Sequence, residues 1–158
     1  MKKIFIALLS VLFVFSLSGC ATDGAKQEKT NKQEKVENVT KSVNNVDMKI
    51  EKVEMKENGK GDKNIMQLTM HFKNESDSKY GIGGNDFILK SSDKTYQVKS
   101  DANNIGTEIA SGKSATGAVN FELPKDVKTG ELVYQPVTPG KEKPKALATW
   151  EISLPNNK

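Results

Sequence analysis

The sequence predicts an all-β protein whose folded part is a two-layer antiparallel β-sandwich. From Val46 onward, short stretches that alternate apolar and polar residues are separated by clusters of Gly, Asn, Asp and Ser, which is the pattern of strands joined by turns. No stretch spaces its apolar residues as one face of a helix would. About eight strands at regular spacing favour a sandwich over a barrel or an α/β fold.

The individual strands follow from the alternation. Apolar positions that start at Val46 change parity after Ile50, which predicts a β-bulge near Glu51 and Lys52. A second strand, from Met66 to Lys73, ends at the turn cluster 74–77. Further predicted strands are Phe87–Lys90, Thr95–Lys99, Asn104–Ile109, Ala115–Leu123, Glu131–Gln135 and Ala148–Leu154, with a tight turn at Ser111–Lys113. The residues expected in the core are Leu68, Met70, Phe72, Phe121 and Trp150.

The first 19 residues have the layout of a secretory signal peptide. Two lysines precede an apolar run from Ile4 to Leu17, and this run of 14 residues is shorter than the roughly 20 that span a bilayer. Leu17, Ser18 and Gly19 followed by Cys20 resemble the bacterial lipobox, in which the cysteine thiol carries a diacylglycerol. We therefore predict that Cys20 is lipidated and that the mature chain begins there, rather than that Cys20 is a stray buried cysteine.

Residues 20–45 have the composition of a linker. Lys, Gln, Glu, Asn and Thr dominate, and no large apolar residue lies between Cys20 and Val36, so a helix here would have no face to bury. We therefore expect a lipidated, disordered tether over residues 20–45, and a sandwich domain over residues 46–158.

The composition excludes several classes of function. All 24 basic residues are lysines, the net charge is only +4, and acidic residues are interleaved with them, so we predict no nucleic-acid partner. With a single cysteine the chain forms no internal disulfide.

The order of strand and turn phrases resembles one known family. The phrases are Leu68–Ser76, Asn85–Leu89, Tyr96, Ile109–Gly117 and Val119–Pro124, and they are similar to those of the DUF4352 family of bacterial surface lipoproteins. The resemblance covers roughly residues 46–155. It implies an immunoglobulin-like sandwich similar to the secreted antigen MPT63, and it brings no catalytic residue to this chain.

Residues that could carry chemistry have simpler structural explanations. His71 is the only histidine and falls on the polar face of its strand, so no catalytic triad and no zinc site are expected. Asp62, Asp77, Asp86 and Asp101 lack the spacing of a calcium loop, and turns explain them better, although weak cation binding stays open. The glycines of segment 81–84 resemble a phosphate-binding loop, but a strand follows where a helix is needed, so a flexible loop is predicted.

The predicted function is that of a non-enzymatic lipoprotein of the cell envelope. We expect the lipid on Cys20 to hold it on the extracytoplasmic side of the cell membrane, while the sandwich binds an envelope protein or a wall component. The alternative is a solute-binding or sensing lipoprotein that captures a small ligand or ion. No cofactor, metal or catalytic residue is predicted, and the oligomeric state stays open.

Overall fold

The computed structural model describes residues 39–137 and 144–155. They form ten β-strands, all paired antiparallel, and one turn of 3₁₀ helix at Gly84–Asp86. The strands are β1 Thr40–Val43, β2 Val46–Glu57, β3 Lys63–Asn74, β4 Tyr80–Gly83, β5 Phe87–Ser91, β6 Lys94–Gln97, β7 Gly106–Ile109, β8 Ser114–Pro124, β9 Thr129–Tyr134 and β10 Ala148–Ser153. No helix in these two ranges is long and apolar enough to cross a membrane.

The strands form two four-stranded sheets and one short ribbon. The first sheet has the order β1-β2-β3-β8, the second has the order β10-β9-β5-β6, and β4 pairs with β7. The two larger sheets enclose one core, so the immunoglobulin-like two-layer antiparallel sandwich is confirmed.

Alternation along the strands decides which residues enter the core. Met66, Leu68, Met70 and Phe72 on β3 are fully buried, while the residues between them lie on the outer face and are partly exposed. The five predicted core residues are all buried. The predicted bulge is also confirmed, because the register of β2 against β3 shifts between Ile50 and Lys52.

Aromatic rings connect the two sheets. The ring of Phe87 on β5 lies 6.2 Å from that of Phe72 and 5.1 Å from that of Tyr134, between centroids, in tilted geometries that favour aromatic pairs. Trp150 on β10 is 2% exposed, and its Nε1–H donates to the backbone oxygen of Val39 at 3.0 Å. This bond joins the second sheet to the residue that precedes β1.

Two predictions about the secondary structure are wrong. The domain does not begin at Val46, because Thr40–Val43, assigned to the tether, form the edge strand β1. Segment 81–84 is not a flexible loop, because Tyr80–Gly83 pair with β7 and bury Ile82. The 3₁₀ turn follows at Gly84, where a Cβ would lie 2.7 Å from the Cβ of Asn104, so only glycine fits.

The predicted turn at Asn74 is built around that residue's buried amide. Its Nδ2 donates to the backbone oxygens of Ser78 at 2.7 Å and Ile109 at 2.9 Å, and its Oδ1 accepts from the backbone N–H and the hydroxyl of Ser76. Asn74 therefore connects the end of β3 to the end of β7. Its side chain is inaccessible in the folded domain.

Candidate functional site

The predicted lipid attachment site lies outside the described residues. Leu17, Ser18, Gly19 and Cys20 all precede residue 39, as does most of the predicted tether.

His71 lies on the outer face of the first sheet, as its position on β3 predicts. Its Nδ1 is 3.0 Å from Oγ1 of Thr116 on β8, and Oε1 of Glu51 is 4.0 Å away. The side chain is 37% exposed, so the imidazole is a solvated surface group.

The four loop aspartates do not converge on one point. Asp62 accepts a hydrogen bond from Asn58 at 2.7 Å, and this bond lowers the pKa of Asp62. Asp101 is paired with Lys99, whose hydrogen bond lowers the pKa of Asp101. Asp86 accepts from the backbone N–H of Gly83 at 2.7 Å and holds the 3₁₀ turn. In the part of the chain that the structure describes, no three metal-ligating side chains come together.

Among the described residues, Tyr134 is the titratable group whose pKa departs most from its ordinary value. Its hydroxyl is buried and lies 2.9 Å from that of Tyr80. Burial raises the pKa of Tyr134 well above its ordinary value of 10, and the hydrogen bond to Tyr80 adds to the rise. Both phenols are therefore structural contacts between β4 and β9.

This burial makes the folding free energy depend on pH at the alkaline end. The unfolded tyrosine ionises near pH 10 while the folded one keeps its proton, so this contribution is complete below pH 10 and is lost as the pH rises further. We expect the free energy of unfolding to fall by about 1.4 kcal/mol per pH unit there. Urea titrations from pH 9 to 11.5 measure the slope, which Tyr134→Phe should flatten. An unchanged slope in Tyr134→Phe contradicts the assignment.

A groove lies at one end of the second sheet. Its volume is about 480 Å³. It is lined by Lys90 on β5, Glu131 on β9 and Glu151 on β10, and by hydroxyl side chains at the strand ends, namely Ser91, Ser92, Thr129 and Ser153. The outer face of this sheet and three strand ends therefore form an open, mainly polar groove.

The charges of the groove lie in one row across three strands. Glu131 is the register partner of Lys90 on one side and of Glu151 on the other. Like charges directly opposite each other in a sheet are destabilising, and within the described ranges no ion pair joins Lys90 to either glutamate. The row therefore presents two carboxylates and one ammonium group to solvent.

An apolar row borders the charged one. Ile88 and Val133 are register partners on the same outer face, and they are 5% and 1% exposed although they do not belong to the core cluster between the sheets. Both side chains are therefore covered, and neither of them lines the groove. The sequence alone does not reveal this groove, because Lys90, Glu131 and Glu151 become neighbours only through the register of three strands.

The chain matches one known protein family. The family described as "Domain of unknown function (DUF4352)" matches residues 28–145, well over half of the sequence. The chain belongs to the DUF4352 family. The match begins before β1, which agrees with a domain that starts earlier than Val46. A search of curated proteins finds no match.

Solved structures of similar proteins support the fold of this DUF4352 chain. One is the crystal structure of a "putative lipoprotein (ycdA)" from Bacillus subtilis, with 24% sequence identity and a TM-score of 0.58, covering 72% of this chain. The match spans only 38% of that protein. The yjhA protein of Bacillus subtilis is 20% identical, with a TM-score of 0.50, and the match covers 63% of this chain and 79% of that one. At these identities the similarity establishes the fold alone.

Proposed function

We propose that the protein is a membrane-anchored, extracytoplasmic lipoprotein whose sandwich binds an envelope protein or a wall component without catalysing a reaction. The observation that carries the binding role is the row of Lys90, Glu131 and Glu151 in the groove of the second sheet. Two opposed carboxylates cost stability in the absence of a ligand. A local arrangement that opposes folding without an evident compensating gain is typical of functional sites.

The chemistry of the groove favours a cationic, hydroxyl-rich ligand. Glu131 and Glu151 attract amines, and the hydroxyls of Ser91, Ser92, Thr129 and Ser153 both donate and accept hydrogen bonds. A basic protein segment and an amine-bearing wall polymer both have this chemistry. The groove is wide and open to solvent, which suits an extended polymer better than an enclosed small molecule.

The position of the only histidine supports a binding role over hydrolysis. Ser91 and Ser92 lie in the groove of the second sheet, whereas His71 lies on the outer face of the first sheet. The sandwich core separates them, so the imidazole does not activate either hydroxyl. The hydroxyl of Ser91 donates to the backbone oxygen of Thr129 at 2.7 Å, and a serine that no base activates is a weak nucleophile.

The groove is tested by removing its negative charge. We expect the double variant Glu131→Gln and Glu151→Gln to be retained by isolated cell envelopes at least 10-fold less than the unmodified mature chain. The control carries Glu54→Gln and Glu108→Gln, which remove the same charge from other surfaces. The groove variant should melt at an equal or slightly higher temperature, because the opposed charges are gone.

Other outcomes of this experiment decide against the proposal. Equal retention of both double variants means that the groove is not the binding surface. A metabolite or ion that raises the melting temperature of the unmodified chain, but not that of the groove variant, identifies a solute-binding or sensing protein instead.

The anchor is tested at Cys20. We expect Cys20→Ala to abolish palmitate labelling and to leave the precursor uncleaved, because the thiol that receives the diacylglycerol is gone. Ser18→Ala keeps a small residue in the lipobox and should still be labelled and cleaved. Labelling of the Cys20→Ala protein would contradict the anchor.

The tether is part of the same proposal, with a corrected end. Because β1 begins at Thr40, a spacer from Cys20 ends before Val39. A flexible chain of this length has a root-mean-square span of about 25 Å. That span clears the lipid headgroups and keeps the domain close to the membrane surface.

A further inference from the structure

The edge strand β1 has few contacts with the rest of the sandwich. Three of its four residues are exposed, and Val43 is its only buried side chain. Its register on β2 runs from Thr40 opposite Lys49 to Val43 opposite Val46. Asn44 and Asn45 close the hairpin with φ angles of 52° and 59°, as in a type I′ turn. The β1–β2 hairpin is therefore closed by the turn next to Val43, and its open end is at Thr40.

One hydrogen bond ties the open end of β1 to the second sheet. It is the bond from Nε1 of Trp150 to the backbone oxygen of Val39, at 3.0 Å. The residues that lead to Cys20 join the domain at this same point. A pull on that segment therefore acts on the Val39 contact first and then on the strand pairs in order from Thr40 to Val43.

We propose that β1 is a latch, a strand that leaves β2 while the rest of the sandwich stays folded. Its opening frees the indole N–H of Trp150 from its hydrogen bond to Val39. It also uncovers the edge of β2 from Val46 to Lys49. Tension in the chain that precedes Val39 favours the open state, because opening lengthens the chain along the pull, and the strand pairs can break one after another from Thr40 to Val43. This effect of tension rests on the proposed lipid anchor, whereas the opening itself is a property of the domain.

Strand β6 provides a matched comparison within the same molecule. It also has four residues and also follows a two-residue turn, at Ser92 and Asp93. However, Val98 just after it bridges to Phe121 on β8, and the N–H of Lys99 donates to the backbone oxygen of Asn120 at 2.8 Å. Strand β6 is thus held from both sides and should open only with the whole domain.

The two strands can be compared by hydrogen exchange of individual amides. In the β1–β2 hairpin, the alternation of paired residues directs the N–H of Met48 toward β1 and that of Lys49 toward β3. In the β5–β6 hairpin, the N–H of Leu89 points toward β6 and that of Lys90 toward β9. Each pair of neighbouring residues thus reports on the edge strand and on the sheet interior.

The experiment uses the mature chain from residue 20 with Cys20→Ser, without lipid. We expect the Met48 amide and the Trp150 indole N–H to exchange at least 10-fold faster than the Lys49 amide. The opening equilibrium constants derived from Met48 and from Trp150 should be equal, because one opening of β1 exposes both groups. Leu89 and Lys90 should be protected to the same extent. Because no lipid or envelope ligand is present, the result does not depend on whether Cys20 is acylated or the groove binds.

An engineered disulfide bond should hold β1 on β2 and so prevent its opening. Thr40→Cys with Lys49→Cys joins register partners at an outward, non-hydrogen-bonded position, where the Cα atoms are close enough to bridge. Oxidation should slow exchange at the Met48 amide and the Trp150 indole to the rate at the backbone amide of position 49 in the same variant, and reduction should restore fast exchange. The control pair Lys90→Cys with Thr95→Cys, register partners on β5 and β6, should leave Met48 unaffected.

Two results would overturn the proposal. One is equal exchange of Met48 and Lys49 with the same dependence on denaturant, which means that β1 opens only when the domain unfolds. The other is fast exchange of the Met48 amide that stays fast after the disulfide between positions 40 and 49 has formed.

Discussion

Replacing Trp150 with alanine is expected to lower the free energy of unfolding by about 3–5 kcal/mol, the usual cost of truncating a large buried aromatic residue. The indole is 2% exposed and lies in the core between the two sheets. It also supplies the hydrogen bond to Val39. Its removal leaves a cavity beside β1 and β10, so both the packing and the contact between the sheets weaken.

Urea unfolding followed by circular dichroism measures this loss, because Trp150 is the only tryptophan and its fluorescence disappears with it. Trp150→Phe keeps much of the apolar volume but loses the hydrogen bond, so a smaller loss, of about 1–2 kcal/mol, is expected. Leu147→Ala is the control, because Leu147 is 41% exposed and surface changes cost less than about 0.5 kcal/mol. A loss below 1 kcal/mol in Trp150→Ala would contradict the role of Trp150 in the core.

Alternation was sufficient to predict the residues that carry this stability. On β3 and β10 every second residue is apolar, and the structure places those residues in the core. The change of parity after Ile50 located the bulge for the same reason. Side chains with a period of two reveal which face is buried without any knowledge of the neighbouring strands.

The two strands that were missed have little apolar alternation. Strand β1 reads Thr-Lys-Ser-Val and follows a segment rich in charged residues, so its composition resembles a linker. Its signal was the Asn44-Asn45 pair, which suits the positive φ angles of a tight hairpin. Strand β4 has glycine at both 81 and 83, which leaves Ile82 as the only apolar residue beyond Tyr80. Such strands depend on their partners rather than on their own sequence.

The candidate site could not be predicted from the sequence for a different reason. Lys90, Glu131 and Glu151 are each ordinary exposed residues on separate strands. Their proximity follows from the order β10-β9-β5 and from the register of each pair. A shift of one residue in either register would place one of the charges on the core face.

Asn74 should be the polar residue whose loss costs the most stability. It is 0% exposed and makes four side-chain hydrogen bonds, to Ser76, Ser78 and Ile109. Asn74→Ala removes all four bonds: the backbone oxygen of Ser78 keeps the hydroxyl of Ser76 as a donor at 3.0 Å, but that of Ile109 loses a buried donor and the N–H of Ser76 loses its acceptor. Each lost hydrogen bond costs about 0.5–1.5 kcal/mol. We expect a total loss of about 3 kcal/mol in urea unfolding. The exposed Asn103 is the control, because Asn103→Ala removes an amide of the same size from the surface.

Asn74→Asp separates hydrogen bonding from side-chain volume. The introduced carboxylate still accepts from Ser76 but faces the carbonyl oxygens of Ser78 and Ile109, to which Nδ2 of Asn74 donates at 2.7 and 2.9 Å. Burial and these oxygens favour the protonated acid, so the pKa of the introduced group should be higher in the folded state than in the unfolded state. The variant should therefore be most stable below the unfolded pKa of about 4 and should lose stability as the pH rises through the folded pKa. Asn74→Ala has no such group, and its deficit relative to the unmodified chain should stay constant between pH 3 and pH 7. Equal pH profiles for the two variants would show that the amide fills space rather than satisfying the two carbonyl groups.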